Sequence, residues 1–429
     1  MAKKNTISLV LVTTAVLLSQ SLWADEEDRR QAKRIHDRLT GVPATNAIID
    51  DMEDLLEGTS VNGYPGDTSG KTAAQYAIDT AQNPNARYFY NVTLKNFAAP
   101  WTNEEQTVFT SLNDYTATVI GLVRDESDFR QVLHGNVIYR GNNGVVPGLN
   151  TPYRNDDNAH YVQLEGLGPV AGDLSDNSVL IADTQSNVTG LPGTATAGVM
   201  TTRAGAMSFF SDGTNRAMFR FTMMNHLCTD LEPLKDVSRT PDRIRQDVSR
   251  SPGGDSRIFL NSCLGCHAGM DGMAGAFAYY EWDYTNDKTD GSLTYTGPEI
   301  SSPPVVSQKH LINPDNFKPG YQIIDDSWVN YWRNGQNWSL GWGTAVSPDA
   351  KGNETGSGAK SLGQELANSD AFAQCQVDKV FEAVCLRSPT EFFGTDRAVR
   401  DSIVADFKTT YNYNMREVFT DVAAHCKGN

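Results

Sequence analysis

Cys263-Leu264-Gly265-Cys266-His267 is the stretch on which the reading of this chain turns. Two thiols stand three residues apart, and an imidazole follows the second directly. Three chemistries use a C-x-x-C pair: a thioredoxin-like redox dithiol, half of a four-thiolate zinc site, and thioether attachment of a haem. No second C-x-x-C exists to complete a zinc site. A redox dithiol gives His267 no reason to follow Cys266. Haem attachment uses all three residues, because Cys263 and Cys266 add to the two vinyl groups and His267 becomes the proximal iron ligand. The motif therefore predicts one covalently bound haem c.

That chemistry needs export, and the start of the chain supplies a signal for it. Lys3 and Lys4 are followed by an apolar core over Ile7–Leu18, and Ala24 offers a cleavage position before Asp25-Glu26-Glu27-Asp28. The apolar run is shorter than the roughly 20 residues a membrane span needs. Residues 1–24 read as a cleavable signal peptide, which predicts a periplasmic or secreted protein without a transmembrane segment. The formal charge of −16 argues against a nucleic acid partner, since phosphate binding needs a basic footprint. It fits a basic redox partner protein steered electrostatically, or serves solubility alone.

Setting aside the two motif thiols leaves Cys228, Cys375, Cys385 and Cys426. In an oxidising compartment an even remainder predicts two disulfides, for which three pairings exist. Cys375 and Cys385 lie on one predicted helix, about 15 Å apart along its axis, so they do not pair. If the last three helices run up, down and up, the end of the third returns beside the end of the first. That geometry favours Cys385–Cys426 and leaves Cys228–Cys375.

Over residues 25–140 the pattern predicts a helical region. Ala32, Ile35 and Leu39 share one helix face, Ile48, Met52, Leu55 and Leu56 another, and Thr72–Ala81 forms a small-residue helix. Tyr115–Phe129 fits a helix, although Val119, Ile120 and Val123 suit a strand equally. His36, His134 and His160 read as surface or hydrogen-bonded histidines rather than ligands. Residues 141–196, rich in Gly, Asn, Asp, Pro and Ser, read as a loop-rich insertion or linker with one or two short strands such as Ser178–Ala182.

Residues 197–429 read as the haem c-containing helical domain. It opens with a Met- and Phe-rich helix over Asn215–Leu227, and a polar connection carrying Arg243, Arg245, Arg250 and Arg257 leads to the motif helix. Trp282, Trp328, Trp332, Trp338 and Trp342 then cluster in a long loop-rich stretch. They pack a core or wall the haem, and Arg333 among them is placed to meet a propionate. Asp283–Asp290 has a lysine where a calcium loop needs oxygen, and Gly356–Ser361 has the wrong spacing for a phosphate loop. Three helices finish the chain, on the stripes Val377/Val380/Phe381/Val384, Val399/Ile403/Phe407 and Met415/Val418/Phe419/Val422/Cys426. The first of them is expected as one helix over Leu362–Leu386. The fold class is mainly α with long loops and minor β.

On Cys263, Cys266 and His267 the chain resembles c-type cytochromes. More loosely, from about Ala197 to the end it is similar to large exported single-haem cytochrome-like proteins of undefined function. That likeness rests on the Arg216–Cys228 helix, on Cys263–Asp271, and on the helix around Phe372-Ala373-Gln374-Cys375. The resemblance implies a C-terminal cytochrome c-like helical module, covalent haem and a redox role. The chain departs from small carrier cytochromes in its length and its aromatic loop, and it lacks a distal methionine loop. Met270 and Met273 follow His267 too closely to cross the ring, so the distal ligand comes from elsewhere. The candidates are Met223, Met224, His226, His310 and Met415, and the usual cytochrome order favours the downstream His310 or Met415. One-electron transfer is the expected function. The alternatives are a peroxidase- or oxygenase-like haem enzyme with an open distal site, and a partner-binding protein in which haem is a structural staple.

Overall fold

The computed structural model describes residues 26–244, 256–310, 321–389 and 394–428. The expected signal segment, and Arg245 and Arg250 of the polar connection, lie outside the described residues. Helices carry the fold, and the named strands form three two-stranded antiparallel sheets. The mainly α class with minor β therefore holds. Among the described residues no helix is long and apolar enough to cross a membrane.

The chain divides into two compact units. The first draws on residues 1–93, 380–399 and 416–429. Its opening helix, residues 26–40, buries Ala32, Ile35 and Leu39 as the spacing predicts. Arg29 reaches Asp50 at 2.6 Å and Glu53 at 2.7 Å on the next helix, Asn46–Leu56. That helix starts where the Thr45 hydroxyl accepts the Ile48 N–H, and it buries Ile48, Met52, Leu55 and Leu56. Phe89 meets Phe419 edge-on at 5.1 Å. The disulfide Cys385–Cys426 closes the unit's C-terminal segments onto each other.

The second unit comprises residues 94–379 and 400–415. Asp114–Arg124 is a helix, which decides between the two readings of that stretch. Asn113 and Thr116 form a capping box at its start, a signal that a strand would not use. The strand Ile138–Gly141 pairs with Leu180–Asp183 and lies against this helix, with Gly121 giving the Tyr139 ring room to approach. The expected boundary at 140/141 falls inside that strand, and the one at 196/197 falls inside the second unit. Residues 141–196 carry more order than their composition shows, since Ala159–Gly166, Gly168–Ala171 and Gln185–Thr189 are helical. The stretch read as one helix over Leu362–Leu386 is two, Gly358–Ala367 and Asp370–Cys385. Ser369 makes the break, its hydroxyl accepting the Phe372 N–H at 3.1 Å. The second disulfide, Cys228–Cys375, ties positions 147 residues apart, so both pairings are those that helix geometry favours.

Candidate haem-attachment site

The motif lies where a π-helical turn, Phe259–Cys263, passes into the helix Leu264–Ala274. Gly265, Gly269 and Gly272 are poor helix formers, and packing explains two of them. A Cβ at Gly269 would stand 2.0 Å from Trp332 Nε1, and one at Gly272 would stand 2.8 Å from the Val329 carbonyl. The helix thus lies close upon the strand Ser327–Asn330 and the Trp332 ring. Met270 and Met273 are buried in its packing, as their distance from His267 in sequence predicts.

Cys263 and Cys266 are both free and half-buried, while the chain's other four cysteines are paired. Cys266 Sγ donates to the Leu231 carbonyl at 3.5 Å, and burial pushes its thiol up. The His267 ring lies 5.4 Å from the ring of Phe259 and keeps 23% of its side-chain surface exposed. Its Nδ1 sits 3.2 and 3.3 Å from the two carboxylate oxygens of Asp271, one helical turn on. Asp271 has no exposed side-chain surface. Arg216, at the start of the helix Arg216–His226, donates to it twice, from Nε at 2.7 Å and from Nη2 at 3.0 Å. Burial alone would push the Asp271 carboxyl up, but Arg216 and His267 outweigh it and hold the group well below the usual carboxylate range.

These residues fit a covalently attached haem. The thiols are unpaired and accessible on one helical turn, and the held Nδ1 leaves His267 Nε2 as the nitrogen available to a metal. Ile258 and Leu260, at 47% and 53% exposure, add apolar surface beside the thiols that a flat apolar macrocycle would cover. Among the described residues no group of three or more His, Cys, Asp or Glu side chains could hold a metal ion, so no set of zinc ligands gathers around the motif.

The other predicted positions scatter. Met223 and Met415 are fully enclosed by protein, and Met224, beside Met223 on the Arg216–His226 helix, is half-buried. His310 is buried, its Nε2 3.4 Å from Asn215 Nδ2. His226 is buried against the Tyr115 hydroxyl at 2.8 Å. Trp282, Trp328 and Trp332 are core residues, and of these Trp332 lies against the motif helix, with Phe219 at 5.9 Å from it. Trp338 is 66% exposed. Arg333 is committed to Glu365 through Nε at 2.8 Å and Nη2 at 2.7 Å, so its expected contact with a propionate is not available. His36 and His160 are hydrogen-bonded in the interior: His36 Nε2 lies 3.0 Å from Asn83 Nδ2, and His160 accepts the Gly141 N–H at 2.9 Å.

The partners Arg216 and Asp271 went unassigned in the sequence, although the four-residue step from His267 to Asp271 is a legible signal. A cavity of about 680 Å³ in the same unit, lined by Asn103, Arg203 and Ser208 among others, contains none of the motif residues. No family model, characterised protein or solved structure matches the chain, so the site rests on its own geometry.

Proposed function

We propose that this protein is an exported monohaem c-type cytochrome that passes single electrons, with a C-terminal helical haem module. The observation that carries the reading is the pair of free, half-buried thiols at Cys263 and Cys266 beside an imidazole whose Nδ1 is already held. When bound, a haem supplies the one-electron chemistry. The chain's own residues supply attachment, orientation and electrostatics. Cys263 and Cys266 would hold the macrocycle, and His267 would present Nε2 to the iron. Asp271 fixes the tautomer and the ring orientation, and Arg216 fixes Asp271. Met224 is the half-buried distal candidate, while Met223, Met415 and His310 are buried. The two disulfides fit an oxidising, extracytoplasmic setting.

A second reading, a haem enzyme with an open distal position, is favoured by Asp271. A full carboxylate on Nδ1 makes the imidazole a stronger donor than a neutral partner would. One spectrum separates the readings. Haem that resists acid–acetone extraction and stays low-spin, unchanged by carbon monoxide, supports the electron carrier. Covalent high-spin haem that binds carbon monoxide supports the enzyme. Absence of covalent haem from protein matured with a haem-attachment system refutes both.

A further inference from the structure

The first unit holds a cavity of about 400 Å³ lined by Arg34, Arg38, Arg387, Asp396, His425 and Cys426, with smaller residues between them. Arg34 and Arg38 stand one turn apart on the opening helix. Each has a main-chain partner: Arg34 donates to the Lys427 carbonyl, and Arg38 Nη1 to the Cys426 carbonyl at 2.8 Å. Those carbonyls follow the helix Met415–His425, an end that favours positive charge. The caps use one N–H of each guanidinium, and a guanidinium has five.

Arg387 is met by Asp396 through Nε at 2.6 Å and Nη2 at 3.1 Å. The same carboxylate lies 2.7 Å from His425 Nε2. Among the described residues Asp396 is the sole acidic side chain in this lining, and it is already shared between Arg387 and His425. Of the three guanidiniums, Arg387 alone engages the carboxylate, and Arg34 and Arg38 have carbonyl partners only, in a chain whose formal charge is −16. Burial, and then repulsion from Arg34 and Arg387, pull Arg38 below its ordinary value, the mark of a cation without a counter-charge. The disulfide Cys385–Cys426 pins the cavity, because Cys426 lines it and Arg387 follows Cys385 by two residues. The donors are therefore held in place before any ligand arrives.

We propose that this cavity is an anion-binding site that takes a small phosphate- or carboxylate-bearing ligand through Arg34 and Arg38, beside the Arg387–Asp396 pair. Planar guanidinium forks match both groups, which is why the shared chemistry is named rather than one molecule.

The test uses the full oxidised chain in chloride, inorganic phosphate or acetate at equal ionic strength, followed by thermal unfolding and titration calorimetry. Phosphate or acetate raises Tm above the chloride value by about 2–4 °C once its concentration reaches several times Kd. The anion with the larger response identifies the class. Arg38→Gln and Arg34→Gln each weaken binding by about tenfold or more. Arg154→Gln, at an exposed pair in the other unit, leaves it unchanged. Either arginine variant suffices if the other fails to fold. Equal Tm in all three salts, or full affinity in both cavity variants, overturns the proposal.

Discussion

Two sets of arginines in this protein illustrate opposite uses of one side chain. Arg216 faces Asp271 with two short hydrogen bonds, and the carboxylate it meets is sealed from solvent. The carboxylate meets a cation at short range, and the pair acts on a third group by holding His267 at Nδ1. Around the cavity of the first unit, one of three guanidiniums, Arg387, takes the carboxylate, and the other two rest on carbonyl oxygens. A matched buried pair has no capacity left for a ligand and serves as a bracket. An unmatched, part-exposed cluster keeps its donors and serves as a receptor. Counting partners, rather than counting arginines, tells the two apart.

The strongest way to break this contrast is to remove the matched partner. Asp271→Ala leaves the part-buried Arg216 without this carboxylate and is expected to cost about 3 kcal/mol in urea unfolding. Replacing both members by apolar residues, Asp271→Leu with Arg216→Met, recovers most of that loss. An equal loss in the single and the double variant would show that the pair is not acting as a unit.

His226 marks a third setting, a buried titratable group with no opposite charge beside it. Burial, with Lys379 adding to it, pushes its pKa down to about 3. The unfolded imidazole titrates near 6.5, so below that value the unfolded chain takes up the proton first. Its contribution is complete above about pH 6.5 and falls as the pH drops, by on the order of 4 kcal/mol at about pH 3.5. Urea midpoints followed from neutral to acid should fall less steeply in His226→Gln than in the wild type, and parallel slopes would remove His226 from the account. The smallest stability effect belongs to the receptor cluster. Arg38→Gln in chloride should cost about 1 kcal/mol, the value of one hydrogen bond, while abolishing most of the response to anions. A much larger cost would make Arg38 a structural bracket like Arg216.

Helix faces were legible in the sequence wherever burial repeats at three-four spacing, as in Ile48/Met52/Leu55/Leu56 and Met415/Val418/Phe419/Val422. The disulfides were legible too, because the rise of a helix excludes Cys375–Cys385 and an up-down-up order of the last helices favours Cys385–Cys426. Residues 141–196 were not, since the pairing of Ile138–Gly141 with Leu180–Asp183 is a long-range event that no local pattern encodes. Ser369 was missed as a helix break because the apolar stripe continues across it. At the site, the thiols and imidazole were legible as a motif and Asp271 by its spacing. Arg216 was hidden, since a residue 55 positions earlier has no local signature of its partner. Arg333 was misplaced for the same reason, as Glu365 lies far along the chain.

The disulfide Cys228–Cys375 spans a stretch that contains both motif thiols. During synthesis Cys228 emerges first, and the next thiols to follow are Cys263 and Cys266, long before Cys375. Simple first-come oxidation would join Cys228 to Cys263 and spoil both the staple and the proposed attachment point. Maturation of this chain is therefore a sorting problem. For the proposed haem attachment Cys263 and Cys266 would have to stay reduced while a thiol on either side of them is being oxidised, which would require reductant and oxidant to reach the same chain in the right order.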